Sequence, residues 1–352
     1  MSNPWPLRIV LALIVAGCLA GVVASRIERA PITVRIAFLA SRDDEDYFGA
    51  MAFKQTVEAL LPGRVDVQIF ASGQFCGSER ECIEGLQSGV LEIHQTTVGG
   101  LATLYPKAQV LDLPYTFPDD AVAECVLDGP VVGDMGEAIL AEGLGLRLVA
   151  IGNTGGWRSF ATTTRQVRSV GDLAGLRIRT LPSALEQEMV RELGASPMAL
   201  PWSEVYGALS AKLLDGIKNS VQDVVGMKLD DHIRYLFIDR HAYMASIWWY
   251  SEVQWHRLPP DVQAAFREGF RALASETRAA AKRREAPALE EFGRRGGIVV
   301  TATAEERAGL KEATRELRDW YVERYGRDWP DRVDAAVAAC EAQLRPHAAA
   351  ME

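Results

Sequence analysis

The stretch from Gly175 to Ser220 constrains the fold more than any other part of the chain. It opens on Leu176-Arg177-Ile178-Arg179, where basic and apolar residues alternate with the period of a strand. A Pro-Ser turn leads into an amphipathic helix, and a short apolar strand covers Met198 to Leu200. Pro201-Trp202-Ser203-Glu204 begins a second helix, Leu213-Leu214-Asp215-Gly216 closes it, and Ile217-Lys218-Asn219-Ser220 re-enters the sheet. This βαβαβ layout puts Arg179 and Asn219 at strand ends, where open α/β sheets bind ligands. A planar guanidinium presents two parallel donors to a carboxylate, and an asparagine offers both a donor and an acceptor. No nucleophile, metal cluster or phosphate loop accompanies them, so the pattern points to binding rather than catalysis.

Strand and helix periods alternate through the first half as well. Val34–Phe38 and Val65–Phe70 read as strands around a helix from about Tyr47 to Leu60. A helix over Glu79–Ser88, stopped by Gly89, precedes a strand over Leu91–Thr96. The alternation continues to about residue 155 and predicts a mostly parallel sheet covered by helices. Trp157 to Asn219 repeats it as a second α/β layer. Tyr243 to Glu252 is a β-rich aromatic run placed to pass back into the first domain, and a long helix is expected from Val262 to about Arg284. The chain lacks a Gly/Ser linker, as expected of two domains that exchange strands rather than sit in series.

With 352 residues the chain can bury two cores of ordinary size. A net charge of −9 argues against a nucleic-acid partner, which needs a basic face. It leaves an anionic ligand open, because one arginine in a dry cleft acts locally. Arg8 followed by an apolar run from Ile9 to Ala24 is short for a membrane span of ~20 residues and suits a signal-peptide core. Three fates fit this segment: cleavage after a small residue near Ala24, acylation of Cys18 in Val15-Ala16-Gly17-Cys18, or retention of residues 1–25 as an anchor. Each places residues 32–352 outside the cytoplasm. Cys76, Cys82, Cys125 and Cys340 are an even set suited to an oxidising compartment. Cys76 and Cys82 flank a short loop and are placed to pair locally, which leaves Cys125 and Cys340 to join an early helix to the last one; buried free thiols are the alternative. A zinc site is disfavoured, since CxxC spacing is absent and no histidine falls beside a cysteine.

Each candidate ligand-binding residue has a plainer reading. Arg179 competes with a solvated strand arginine, Arg158 after Gly155-Gly156 with an exposed residue beyond a turn, and Asn219 with a turn former. Lys218 is a further cation or simply solvated. Trp157, Trp202, Trp248 and Trp249 line either a cleft or a core. Asp43-Asp44-Glu45-Asp46 reads as a solvated loop at a helix N-terminus, and His94 as structural. The motifs of serine hydrolases, zinc peptidases, dinucleotide-binding folds and P-loops are missing.

Taken together, the chain resembles the solute-binding component of a tripartite ATP-independent periplasmic (TRAP) transporter, from about Val34 to Leu344. The resemblance rests on Ala71-Ser72-Gly73-Gln74, Leu86-Gln87-Ser88-Gly89, Leu111-Asp112-Leu113-Pro114-Tyr115-Thr116-Phe117, Gly175-Leu176-Arg177-Ile178-Arg179 and Pro201-Trp202-Ser203-Glu204-Val205-Tyr206. Leu213-Leu214-Asp215-Gly216 and Leu258-Pro259-Pro260-Asp261-Val262-Gln263 complete it. It implies two α/β lobes of a periplasmic-binding-protein-like fold, with strands crossing between them and a long bracing helix. The division expected is 32–155 with 245–284 for one lobe and 156–244 with 285–344 for the other. The resemblance also implies a carboxylate-gripping arginine at Arg179, a second cleft arginine at Arg158 and a strand-end asparagine at Asn219, with no cofactor. An organic acid would pass to a membrane permease; a periplasmic sensor module is the alternative with the same fold. The position before the asparagine is commonly acidic in that family and here is Lys218, which favours a dianion or otherwise anion-rich solute over an amino acid if it faces the cleft and is silent if it faces solvent.

Overall fold

The computed structural model describes residues 30–348, so the proposed signal or anchor over residues 1–25 lies outside the described residues. Nine strands form one sheet: β1 (Ile32–Ala37), β2 (Val65–Phe70), β3 (Ile93–Thr97), β4 (Leu146–Thr162), β5 (Arg177–Thr180), β6 (Ser196–Ala199), β7 (Gly216–Asn219), β8 (Tyr235–Ser251) and β9 (Ile298–Thr301). Their order is β2-β1-β3-β8-β4-β7-β5-β6, with β9 paired to β8. Two parallel modules, β2-β1-β3 and β7-β5-β6, stand at the two ends.

The antiparallel pair β4 and β8 joins them, each strand 17 residues long. At ~3.3 Å per residue such a strand covers roughly 56 Å, so each one serves both lobes. The last part of β8 pairs with β3 through Ile93↔Tyr250 to Thr97↔Ser246, whereas its first part pairs with β9. The last part of β4 pairs with β7 through Ser159↔Asn219. The expected alternation of short elements therefore needs one correction: Gly155-Gly156 interrupts no strand. It lies inside β4, where the register with β8 shifts between Asn153 and Trp157. Both glycines take positive φ, +104° and +90°, a conformation that disfavours any side chain. Asn153 fixes this bulge, its Oδ1 accepting from the Gly156 N–H at 2.5 Å and its Nδ2 donating to the Gly156 carbonyl at 3.2 Å.

The long helix runs Pro260–Arg294, ten residues further than its pattern suggested, with Pro287 inside it. Gly269 lets it sit directly on the Glu45–Leu60 helix: a Cβ there would lie 2.6 Å from Val57 Cγ2. Phe53, Phe266 and Phe270 close around that contact. Further along, Arg278 donates to both carboxylate oxygens of Asp128 and to the Ile151 carbonyl, and the Ala281 carbonyl accepts from Gln222 Nε2 at 3.0 Å. One helix thus grips elements of both halves. The helix after Trp202 ends at Ser210, ahead of Lys212 at φ +57°, so Leu213–Gly216 follows the helix rather than closing it. Cys76–Cys82 and Cys125–Cys340 are both disulfides. Among the described residues no helix is long and apolar enough to cross a membrane.

Candidate functional site

The C-terminal ends of β3, β5 and β7 and the bulge of β4 converge on a cavity of about 70 Å³, lined by Thr97, Arg179, Asn219, Thr154 and Arg158 among others. A second opening of about 600 Å³ shares Leu39, Glu79, Leu181 and Trp202 with it and forms a vestibule. Ligand sites for organic molecules usually measure ~300–1,000 Å³. An acid of several carbons therefore needs the walls to part before it reaches the arginines.

Arg179 is 3 % exposed. Its Nε and Nη2 both donate to the Leu200 carbonyl, at 3.0 and 2.8 Å, and its guanidinium lies 5.4 Å from the Trp202 ring centroid. That carbonyl and that ring fix one edge of the fork and leave Nη1 for a ligand. Burial lowers its pKa to about 10, against the pull of Glu186 and Glu79, and it remains a cation at neutral pH. Arg158, also 3 % exposed, has no partner for its Nε and reaches Glu186 only at 3.9 Å. Burial opposes its charge, but Glu186, Asp112 and Asp223 outweigh that and raise its pKa. Asn219 turns its Oδ1 to the Ser220 N–H at 2.9 Å, which leaves its Nδ2 to donate elsewhere. Two buried, incompletely satisfied guanidiniums around one cavity form a receptor for an anion, since such donors lack the water that would otherwise solvate them.

Two sequence candidates lie elsewhere. Lys218 is 2 % exposed and does not line the cavity; its Nζ meets Glu186 Oε2 at 2.5 Å, behind Arg158. Its charge is thereby spent on Glu186, which removes the reason for favouring a dianion. Burial opposes the Glu186 carboxylate, but Lys218 and Arg158 prevail and hold its pKa far below the ordinary range. Trp157 packs edge-on against Tyr243 and donates from Nε1 to Asp120 at 3.1 Å, so it is a core residue. Trp248 and Trp249 are likewise fully buried in the core. His94 is structural, its Nδ1 2.8 Å from the Ala37 carbonyl and its pKa lowered by burial to about 4.

The sequence reading missed an acidic wall. Asp44, Asp46, Glu79 and Asp223 line the same cavity as the arginines, and Asp46 is fully buried. The run Asp43–Asp46 is thus not the solvated loop its composition suggested: only Asp43 is exposed, and Glu45 pairs with Arg284 of the long helix. A groove of about 880 Å³ between the long helix and residues 124–151 is larger, but its cations are already engaged, Arg278 by Asp128 and Lys282 by Glu124.

Two lobes bridged by paired long strands, with a cavity bearing two buried arginines where they meet, define the class of extracytoplasmic binding proteins. The chain belongs to the bacterial extracellular solute-binding protein family 7 (DctP), whose model matches residues 36–324. It is 24 % identical over 311 residues to the 2,3-diketo-L-gulonate-binding periplasmic protein YiaO of Escherichia coli K12, covering 88 % of this chain and 92 % of that one. It is 26 % identical over 316 residues to the C4-dicarboxylate-binding periplasmic protein DctP of Rhodobacter capsulatus, with the same coverage. The fold matches the sugar acid binding protein DctPAm of Advenella mimigardefordensis, in complex with galactonate, at a TM-score of 0.83 and 22 % identity over 88 % of this chain and 99 % of that one. The protein is accordingly a solute receptor of a transport system and not an enzyme.

Proposed function

We propose that this protein captures an organic acid between its lobes, with Arg179 and Arg158 holding the carboxylate, and delivers it to the membrane permease of a TRAP transporter. The observation that carries the reading is the pair of buried guanidiniums on one cavity, with Arg158 Nε unpartnered and Arg179 Nη1 left over from the Leu200 carbonyl. Asn219 Nδ2 supplies a further donor, and the Trp202 ring lies beside the Arg179 guanidinium. Ligands of the relatives support the chemistry, since C4-dicarboxylates, diketogulonate and galactonate all carry carboxylates. Membership of the family supports a permease partner and a periplasmic location, and a cleaved, acylated or retained N-terminal segment each suits that location.

Closure is a hinge motion at the β4 bulge, in which the solute selects the closed state by contacting both lobes. Each charge-assisted bond contributes ~1.5–3 kcal/mol, so the arginines and Asn219 together supply much of the ~8 kcal/mol of micromolar binding. The test is a thermal-shift screen of the mature protein against organic acids, followed by titration of the best one. Arg179→Ala should weaken binding by at least about tenfold, the equivalent of ~1.4 kcal/mol, with the fold intact by circular dichroism. Unchanged affinity in a folded variant refutes the assignment.

A further inference from the structure

The arginines account for one end of the cavity only. Of its ionisable side chains, Asp44, Asp46, Glu79 and Asp223 are acids and Arg158 and Arg179 are bases. Among the described residues none of these four carboxylates takes part in an ion pair, and Asp46 Oδ1 is buried without a hydrogen-bond partner. The acids also come from both lobes. Asp44 and Asp46 stand at the start of the Glu45–Leu60 helix beside β1, whereas Asp223 follows β7. They meet at the crossing: Thr154 donates to Asp46 Oδ2 at 2.9 Å, and Asp223 Oδ2 lies 3.3 Å from where a Cβ on Gly155 would be. Arg158 Nε, also buried and unpartnered, borders the same space and marks it as built for a ligand.

This arrangement bears on what the cleft selects. Around a bound cation, with all six groups ionised, the wall would carry four negative and two positive charges, a net −2; without one, burial raises Asp46, Asp223 and Glu79 above the ordinary carboxylate range. A dicarboxylate would bring that to −4 and a plain monocarboxylate to −3, whereas a solute with one charge of each sign leaves it at −2. Like charges facing each other from two lobes oppose closure unless something positive sits between them. Burial, followed by the neighbouring carboxylates, pushes Asp46 and Asp223 well above the ordinary range, a shift that a cation between them would oppose. Arg284, the nearby cation of the long helix, is bound to Glu45.

We infer that the solute is a zwitterion, its carboxylate held by Arg158 and Arg179 and an ammonium-type cation at its other end held between Asp44 and Asp46 of one lobe and Asp223 of the other. This deepens the carboxylate reading and rests on it. The ammonium converts a repulsion between the lobes into two attractions, so it acts as the closing element while the arginines act as the anchor.

Titration calorimetry on the mature protein tests this with short α- and ω-amino acids, the dicarboxylates of matching length and the matching polyhydroxy acids. At least one amino acid should bind about tenfold or more tighter than its dicarboxylate and polyhydroxy counterparts, since those leave the desolvated carboxylates without a cationic partner. The preference should collapse in Asp223→Asn, and in Asp46→Asn should the first variant fail to fold, while the carboxylate still binds. Equal or tighter binding of a dicarboxylate or polyhydroxy acid, a preference that survives both substitutions, or no binding by any amino acid overturns the zwitterion. In each of those cases Arg179→Ala decides the other question: if it abolishes binding of whichever acid does bind, the carboxylate reading stands alone.

Discussion

Glu186 is the residue whose loss the structure prices most sharply. Its Oε2 lies 2.5 Å from Lys218 Nζ and accepts from the Leu181 N–H at 3.0 Å, and its Oε1 faces Arg158 at 3.9 Å. The side chains of all three charged residues are no more than 4 % exposed. Glu186→Gln removes the carboxylate that pairs with Lys218 and faces Arg158, a change that costs ~3–5 kcal/mol when one partner of a buried pair is removed. Unfolding entropy of ~2.1 cal/mol/K per residue gives about 0.67 kcal/mol/K for the roughly 320 described residues, so the melting temperature should fall by about 4–7 °C. The assay is differential scanning calorimetry of ligand-free wild type, Glu186→Gln, Glu186→Leu, Lys218→Met and the double variant Glu186→Leu/Lys218→Met. The double variant should recover part of the loss, since an apolar pair can replace a buried ion pair at little cost. A shift within ~1 °C for Glu186→Gln, or strict additivity of the two Glu186/Lys218 changes, refutes the reasoning.

The disulfides should differ in weight. Cys125–Cys340 spans 215 residues and Cys76–Cys82 only 6, so chain entropy assigns the first about 5 kcal/mol and the second about 2; urea melts of Cys125→Ser/Cys340→Ser against Cys76→Ser/Cys82→Ser test that order. Glu79 gives a pH signature. Burial raises its pKa to about 7 despite Arg179, so its protonated form belongs to the native state. The stability this confers is full below the unfolded pKa and is lost as pH rises through about 7. Glu79→Gln should therefore gain on wild type in melting temperature between pH 5 and 7.5, and a constant difference across that range would contradict the shift.

Arg179, Asn219 and Trp202 were legible because strand ends and a Pro-Trp helix start place them by local pattern alone. Arg158 was legible once Gly155-Gly156 was taken as a place of close backbone approach, although those glycines bulge a continuous strand instead of ending one. The acidic wall was not legible. Asp44 and Asp46 belong to a run whose composition matches any solvated helix start, and the partners that hold the run, Thr154 on Asp46 and Arg284 on Glu45, lie 108 and 239 residues away in sequence. The partner of Lys218 was hidden for the same reason: Glu186 sits on the amphipathic helix between β5 and β6, and nothing in its neighbours marks it as turned inward. Local periodicity reports which face of an element is apolar, but the pairing of buried charges is a property of the assembled lobes.

The central claim is that a carboxylate sits on Arg179 and Arg158. A crystal structure of the mature protein with the best ligand from the thermal-shift screen tests it most directly. The account predicts carboxylate oxygens within hydrogen-bond distance of Arg179 Nη1 and of Arg158, about 2.7–3.0 Å, with Asn219 alongside. A solute bound with its carboxylate away from both guanidiniums, or lodged in the groove beside the long helix, would contradict it.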